Sequence, residues 1–297
     1  MKIVTYESGG KTSVGILTEN GVIDFSRAHC AYGAARSSED QATAPTVLGL
    51  LTLGMFGERL FAETLGFVER HGLWSAFVVH SARLKAPIPH PPKILALGLN
   101  YAAHAAEGGH DLPVEPIYFV KASTSVIGPE EPVVYHRSLT RVDHEVELAA
   151  VIGKPCFHVD EKDAMDYVAA YTILNDVTAR DMQSADLKAS HPWFRSKSLD
   201  TFCPMGPCLV LPEQIGDPHD LHLELRVNGE LRQHANTSDL VFGIPAIIAH
   251  MSAMMTLEPG DIISTGTPQG ISPVRPGDVM EATVERIGTL RNPVVSQ

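Results

Sequence analysis

The chain has 297 residues, and its 23 Lys and Arg against 35 Asp and Glu give a formal net charge of −12. Such an acidic surface disfavours non-specific binding to nucleic acid or to an anionic membrane. The four cysteines lack CxxC spacing, so neither a zinc site nor a disulfide framework is predicted. No apolar run reaches the roughly 18 residues of a membrane span, and the first residues lack the apolar core of a signal peptide. We expect a soluble, cytoplasmic protein.

The first 92 residues have the pattern of a small α+β domain. Alternating residues between SGG and ENG turns predict short strands near the start, and leucines in roughly helical register predict helix around residues 46–72. Four prolines from Pro87 to Pro92 exclude helix and central strand there. We therefore predict one domain over residues 1–92 and a second over residues 93–297.

The second domain is predicted to be mostly β with inserted helices. Strands are expected over 93–99, in IYFVKAS, in PVVYH, over 143–152 and in YTILND, and helices over 162–170 and 244–255. The stretch HLELRVNGELRQH predicts a hairpin that turns at Asn228-Gly229. Residues 257–270 are predicted to form a turn, a strand and a Gly-rich loop.

Two acids open the predicted strand 143–152. Glu145 and Glu147 are two residues apart, so on a strand their side chains leave the same face. Carboxylates side by side repel each other, and a bound cation is one reason to keep them together. The alternative is the solvated face of an edge strand.

A third acid, Asp176, follows the apolar run YTILN. As a helix N-cap it would be followed at i+4 and i+7 by Arg180 and Gln183, which then share one helix face. Three carboxylates suit a hard cation such as Mg²⁺ or Mn²⁺, and the absence of a Cys/His cluster argues against zinc. The alternative for Arg180 is a surface salt bridge to Asp176.

In NYAAHAAE, His104 and Glu107 are neighbours on a predicted helix. A carboxylate beside an imidazole raises its basicity and fixes its orientation, so the pair suits proton removal or activation of water. The alternative is a surface ion pair. The following GGHDLP is rich in Gly and Pro, which predicts that this helix belongs to a mobile lid.

Two lysines and one loop complete the candidate residues. Lys197 lies in WFRSKSLDTFCPMGP and Lys121 in IYFVKAS, where partial burial would favour a role in binding or charge stabilisation. Their alternative is a surface lysine that snorkels to water. The loop STGTPQG offers backbone N–H groups and threonine hydroxyls to a carboxylate, or is an ordinary turn.

In order, the motifs GLNYAAHAAE, FVKAS, DHEVELAAVIGK, YTILNDVTARDMQ, KSLDTFCPMGP, LRVNGELRQ and LEPGDIISTGTPQG resemble the fumarylacetoacetate hydrolase family. The resemblance covers about residues 93 to 290. It implies a mixed β-sandwich roll with a small N-terminal domain, usually in a homodimer. It also implies that Glu145, Glu147 and Asp176 hold Mg²⁺ or Mn²⁺, with Ca²⁺ as a substitute in crystals.

The same resemblance implies roles for the other candidates. His104 and Glu107 match the dyad that activates water in hydrolytic members, and Lys197 matches a lysine that neutralises developing charge. The residues that match substrate-binding positions are Arg180, Gln183, Lys121 and Thr267.

The activity implied by the resemblance is divalent-metal-dependent chemistry on a small oxo acid. We expect hydrolysis of a C–C bond in a β-diketo acid, such as an acylpyruvate, fumarylpyruvate or a fumarylacetoacetate-like compound, through a metal-stabilised enolate. The alternative is an isomerase or decarboxylase that acts on 5-carboxymethyl-2-hydroxymuconate or oxaloacetate in aromatic catabolism. A binding protein that has lost catalysis would be expected to lack a metal acid or the dyad, and all of these residues are present.

Overall fold

The protein is described by a computed structural model over residues 1–36 and 46–297. Three β-sheets, with short helices inserted between their strands, make up the described ranges. The predicted fold class, α+β and mostly β, is confirmed. None of the helices in these ranges combines the length and the apolar character needed to cross a membrane.

Strands of two to nine residues form the sheets. In chain order they are β1 (Lys2–Ser8), β2 (Lys11–Thr18), β3 (Gly21–Asp24), β4 (Val78–Val79), β5 (Arg83–Lys85), β6 (Ile94–Gly98), β7 (Ile117–Lys121), β8 (Val126–Ile127), β9 (Val133–Tyr135), β10 (Val142–Asp143), β11 (Val146–Ile152), β12 (Val168–Asn175), β13 (Thr178–Ala179), β14 (Cys203–Val210), β15 (His222–Val227), β16 (Glu230–Asn236), β17 (Ile262–Ser264), β18 (Pro273–Val274), β19 (Val279–Val284) and β20 (Gly288–Ser296).

The helices are mostly short. They are α1 (Phe25–Ala35), α2 (Val47–Thr52), α3 (Glu58–Arg70), α4 (Trp74–Phe77), α5 (Ala102–Glu107), α6 (Arg180–Lys188), α7 (Phe194–Lys197), α8 (Pro212–Ile215) and α9 (Ile244–Met254). Turns of 3₁₀ helix cover Ser123–Ser125, Glu161–Tyr167 and Thr237–Asp239.

The large sheet runs in the order β4-β3-β2-β1-β14-β12-β11-β17-β6-β7, with β5 on β1 and β8 on β14. A second sheet has the order β16-β15-β19-β20-β9, and a third the order β13-β10-β18. Because β1 pairs with β14, the N-terminal strands continue the large sheet rather than forming one of their own. The domain boundary at residue 92 stays a prediction.

Strand β11 lies between two apolar cores, because its successive side chains point to opposite faces. On one face Leu148 packs in a core with Leu225 and Met280 of the second sheet. On the other face Val151 packs in a core with Phe61 of α3. The strand is therefore covered on both sides, and the acids at its N-terminal end are held on rigid backbone.

Several predicted elements are confirmed. The hairpin turns at Asn228 and Gly229, whose φ values of 52° and 80° suit a two-residue hairpin turn. The helical pattern around 46–72 resolves into α2 and α3, and the pattern over 244–255 into α9.

The predicted helix over 162–170 is wrong over its last three residues. A 3₁₀ helix covers Glu161–Tyr167, and strand β12 begins at Val168. Pairing of β12 with both β11 and β14 favours the extended conformation over local helical register.

The hydroxyl of Tyr171 on β12 gives a test of core energetics. The side chain is 1% exposed, and within the described residues the hydroxyl has no hydrogen-bond partner. We expect Tyr171→Phe to leave the free energy of unfolding unchanged or to raise it by about 1 kcal/mol, because it removes a desolvated hydroxyl. The adjacent Thr172→Val is the control: it removes the bond from Thr172 Oγ1 to the Gly206 carbonyl oxygen (3.2 Å) and should cost about 1–2 kcal/mol. Urea unfolding compares the two variants, and a larger loss for Tyr171→Phe would contradict the expectation.

Candidate active site

Three carboxylates meet where β11 begins and β12 ends. The two strands are antiparallel and Val146 lies opposite Asn175, so the acids beside these residues come together. The backbone N–H of Glu145 donates to the Asn175 side chain (2.9 Å), and that of Asp176 donates to the Glu145 carbonyl (2.8 Å). Oxygen atoms of Glu145, Glu147 and Asp176 all lie within 4.8 Å of one another, and all three residues are buried. The alternative of a solvated strand face is therefore wrong.

Two buried lysines neutralise part of this acidic group. Lys197 Nζ donates to Glu145 Oε2 (2.7 Å) and to Asp176 Oδ2 (2.5 Å). Lys121 Nζ donates to Asp176 Oδ1 (2.6 Å) and to the carbonyl oxygen of Lys197. Both lysines are at most 2% exposed, which contradicts the alternative of snorkelling surface lysines.

Neither of these lysines forms a hydrogen bond to the third acid, Glu147. Its Oε2 accepts hydrogen bonds from Ser264 Oγ (2.5 Å) and from the backbone N–H of Gly266 (2.9 Å). Its Oε1 is buried and has no partner among the described residues. Burial raises the pKa of the Glu147 carboxyl well above its ordinary value, and the neighbouring Asp176 raises it further.

The residues fit a divalent cation. A cation among the three acids would give the orphaned Glu147 Oε1 a partner and would offset the repulsion between the carboxylates. The donors are oxygen atoms only, which suits Mg²⁺ or Mn²⁺ better than zinc.

Arg180 reaches the acids from a different direction than the sequence predicts. Helix α6 begins at Arg180, so Asp176 lies outside it and the predicted common helix face of Asp176, Arg180 and Gln183 is wrong. The cause is strand β13, which pairs with β10 and keeps the intervening backbone extended.

The guanidinium of Arg180 binds two acids on the strand side. It donates to Asp143 Oδ2 (2.8 Å), to a carboxylate oxygen of Glu145, and to Gln183 Oε1 (2.5 Å). The predicted alternative, a surface salt bridge to Asp176, is therefore wrong. Burial alone would raise the pKa of Glu145, but Lys197 and Arg180 outweigh it and hold that pKa below its ordinary value.

Helix α5 brings His104 and Glu107 over the acids. His104 Nδ1 lies 3.5 Å from Glu107 Oε2, which is close enough for an ion pair, but this buried nitrogen has no aligned hydrogen bond among the described residues. The Glu107 carboxylate accepts the backbone N–H of Gly270 at 3.2 Å, so the helix is fastened to the loop that follows β17. The mobile lid stays a prediction.

A cavity of about 460 Å³ opens above this cluster. The predicted site residues that line it are His104, Glu145, Arg180, Gln183, Lys197 and Thr267. Lys121, Glu147 and Asp176 lie in the layer beneath, where they contact the lining residues or one another. The structure thus brings the predicted residues together, while their individual roles stay predictions.

Gln233 of β16 is a buried residue of this region that the sequence patterns did not identify. Its Oε1 accepts from the backbone N–H of Val146 (3.1 Å), and its Nε2 donates to the Pro268 carbonyl oxygen (2.9 Å). Because one partner only donates and the other only accepts, the orientation of the amide is fixed. His144 Nδ1, 2.9 Å from the same Oε1, must therefore carry the hydrogen.

The same amide also determines how Thr267 is bonded. Gln233 Nε2 donates to Thr267 Oγ1 (2.8 Å), and Thr267 Oγ1 lies 3.0 Å from the Val146 carbonyl oxygen, to which it donates. The hydroxyl hydrogen of Thr267 is thus used within the protein. A substrate carboxylate that reached this loop could accept this hydrogen only if Thr267 gave up its hydrogen bond to the Val146 carbonyl oxygen.

Metal addition gives the first test of the site. We expect Mn²⁺ to raise the free energy of unfolding, by about 2.7 kcal/mol at one hundred times its Kd. Glu147→Gln should abolish this rise because an amide cannot supply the charged oxygen ligand that Glu147 gives to a bound cation. Thermal unfolding with and without Mn²⁺ measures the difference.

The matched control for Glu147→Gln is Asp186→Asn. Asp186 is a buried acid that pairs with Arg195 (2.9 Å) and is not part of the acidic group. It should change the melting temperature but leave the Mn²⁺-dependent rise intact. An equal rise in Glu147→Gln and the unmutated protein would contradict a metal site here.

The hydrogen bonds of Gln233 give a second test. We expect Gln233→Leu to lower the free energy of unfolding by about 3 kcal/mol or more, because it leaves several buried polar groups unpaired. Gln269→Leu, which removes one exposed bond to the His234 carbonyl oxygen (3.4 Å), should cost less than about 0.5 kcal/mol. Similar urea midpoints for the two variants would show that the buried amide does not brace the site.

Residues 93–295 match the family model described as fumarylacetoacetate (FAA) hydrolase C-terminal. An oxaloacetate tautomerase of Bacillus subtilis is 45% identical over 229 residues, which cover 73% of this chain and 75% of that protein. A 5-carboxymethyl-2-hydroxymuconate delta-isomerase from Mycobacterium smegmatis has a known crystal structure and is 35% identical in sequence. The two structures match with a TM-score of 0.74 over 100% of this chain and 99% of that one.

A maleylpyruvate hydrolase from Sphingobium sp. SYK-6, crystallised with manganese(II) and pyruvate, is 32% identical, with a TM-score of 0.74 over 100% of this chain and 99% of that one. The relatives thus include a hydrolase, an isomerase and a tautomerase. Because the matched family model spans more than half of the chain and the full-length structures share its fold, the protein belongs to the fumarylacetoacetate hydrolase family.

Proposed function

We propose that this protein is a divalent-metal-dependent enzyme that moves a proton at the carbon next to the ketone of a short 2-oxo acid, and that oxaloacetate is the substrate to test first. The observation that carries the proposal is the position of His104. Its buried Nδ1 lies 3.5 Å from Glu107 Oε2, and the side chain lines the same cavity as Glu145 and Lys197. With Nδ1 turned to Glu107, Nε2 is the nitrogen that would accept a proton beside a site suited to an anionic oxygen.

The cation is proposed to be Mg²⁺ or Mn²⁺, held by Glu145, Glu147 and Asp176. When bound, it supplies Lewis-acid polarisation of a carbonyl. The manganese(II) in the crystallised maleylpyruvate hydrolase supports this choice.

The chain's own residues would handle the proton and the negative charge. In keto–enol conversion His104 removes a proton from the carbon, the electron pair forms the C=C bond, and the ketone oxygen takes a proton from water. Glu107 Oε2, at 3.5 Å from His104 Nδ1, would orient the imidazole ring. Hydrogen bonds to Glu145 and Asp176 hold the Lys197 ammonium at the acidic group. Its positive charge would there stabilise the negative charge that develops on the ketone oxygen.

The tautomerase relative supports this reaction, because it is 45% identical over 73% of this chain. The isomerase also moves a proton, which is chemistry of the same kind. We therefore place tautomerisation before hydrolysis, which reverses the order that we favoured from the sequence.

Hydrolysis of an acylpyruvate remains the second candidate, favoured by the His104–Glu107 pair. A water deprotonated by His104 would attack the distal carbonyl carbon. The C–C bond then breaks with its electron pair on the pyruvate carbon, which is finally protonated. Decarboxylation, the homodimer and the cytoplasmic location also stay predictions.

The test measures both reactions in the same preparation. With Mg²⁺ or Mn²⁺, the protein should accelerate deuterium exchange at C3 of oxaloacetate, followed by NMR, over the metal ion alone. His104→Gln should lower this rate by about 10²- to 10⁴-fold, as expected on loss of a general base. Acetylpyruvate cleavage is followed in parallel.

The control variant is His250→Gln, because His250 packs against Tyr118 and is not among the residues that line the cavity. It should retain the exchange rate of the unmutated protein. Cleavage of acetylpyruvate without accelerated exchange would favour the second candidate. Neither reaction above the rate with metal alone would contradict both.

A further inference from the structure

One wall of the cavity is apolar and adjoins the charged cluster. Its side chains come from β6, β7, α6 and the residue before α7, and they are Leu97, Ile117, Phe119, Leu187 and Trp193. Phe119 connects the two regions, because Lys197 Nζ lies 5.0 Å from the centre of its ring. A substrate whose oxygens face Lys197 therefore directs the rest of its chain along this wall.

Trp193 is the largest side chain of the wall, and its position depends on a glycine. Its indole packs edge-on against Phe119, with 5.3 Å between ring centres. A Cβ atom at Gly98 would lie 2.6 Å and 2.9 Å from two carbons of the indole. The indole thus sits directly on the backbone of β6, and it can do so only because residue 98 has no side chain.

The fixed cations that line the cavity are already paired. Among the described lining residues they are Arg180 and Lys197. Lys197 donates to Glu145 and Asp176, and Arg180 donates to Asp143 and Glu145. A carboxylate placed against the less exposed part of the wall, at Leu97, Phe119 and Trp193, would lose water without gaining an unpaired lysine or arginine, which is unfavourable.

We propose that Trp193 is a specificity-determining residue, and that the wall it forms selects 2-oxo acids with a short, uncharged distal group over extended dicarboxylates. This inference rests on the proposed function, because it assumes that the oxo-acid end lies at the acidic group. Oxaloacetate is compatible with it, since a single carbon separates its ketone from the second carboxylate. Both of its acid groups can then stay at the polar end.

A matched pair of ligands tests the selection without any turnover. 2-Oxopentanoate and 2-oxoglutarate have the same five-carbon chain and differ only in a distal methyl or carboxylate group. Isothermal titration calorimetry in the presence of Mg²⁺ measures the affinity of each. We expect 2-oxopentanoate to bind at least about tenfold more tightly, since the charged group would be desolvated at the wall.

Fluorescence locates the bound ligand beside the indole. The sequence has two tryptophans, so Trp74→Phe leaves Trp193 as the sole tryptophan, whose emission can be excited apart from that of the tyrosines. Its emission should change on addition of 2-oxopentanoate with the same Kd that calorimetry gives. Ligand binding that leaves this emission unchanged would overturn the assignment of the wall.

Two variants alter the wall in different ways. Trp193→Ala opens it to water, and Gly98→Ala displaces the indole by the clash described above. Both should reduce the preference for 2-oxopentanoate to about threefold or less, because the distal carboxylate of 2-oxoglutarate would then keep more of its water. The control is Phe194→Ala, which removes an adjacent aromatic side chain that is 49% exposed and outside the cavity lining, and it should keep the full preference.

The outcomes separate this inference from the proposed function. A tenfold preference that depends on Trp193, without proton exchange on oxaloacetate, would support the wall and contradict the proposed reaction. Proton exchange with equal or tighter binding of 2-oxoglutarate would support the reaction and overturn the inference. Unchanged selectivity in Trp193→Ala would also overturn the inference, and so would failure of both acids to bind, whereas the proposed reaction is decided by exchange on oxaloacetate alone.

Discussion

The structure of the site depends on one buried carboxylate that no salt bridge of the described residues reaches. Asp143, Glu145 and Asp176 are paired with cations, which are Arg141, Arg180, Lys121 and Lys197, whereas Glu147 is not. Burying a charge is costly unless it is paired, so an unbalanced acid in this position calls for an additional partner. Glu147 is that acid, because its Oε1 has no partner among the described residues. A divalent ion among the three acids would supply that partner.

The scaffold holds this cluster from several sides at once. Glu147 lies on a strand that is paired on both edges and covered on both faces. Lys121 is the last residue of β7. Gln233 joins the second sheet to the backbone of Val146 and Pro268 through an amide of fixed orientation. Helix α5 is fastened by Glu107 to the loop after β17. The groups that would move a proton are thus placed by hydrogen bonds between distant segments rather than by one local motif.

This explains which parts of the site the sequence could predict. The spacing of Glu145 and Glu147 depends only on strand alternation, which a sequence records directly. The prediction of a common helix face for Asp176 and Arg180 failed, because it is decided by the pairing of β13 with β10. That pairing is a contact between distant segments, which a local pattern does not show. Gln233 was missed for a similar reason: a register shift between β15 and β16 turns it inward, while Leu231, two residues earlier, is 45% exposed. Alternation alone would have put both on the same face.

The same cluster is compatible with proton transfer and with hydrolysis, and the rest of the cavity must therefore distinguish them. Both reactions need a base near the carbon chain and a positive charge near the ketone oxygen, which His104 and Lys197 can provide. Hydrolysis also needs an ordered water beside the distal carbonyl and a substrate long enough to carry that carbonyl. Phe119 and Trp193 line the cavity beside Lys197, and their side chains offer an attacking water no hydrogen-bonding carbonyl or carboxylate. An apolar wall at this place favours the reaction that needs no water, and this is the physical reason for placing tautomerisation first.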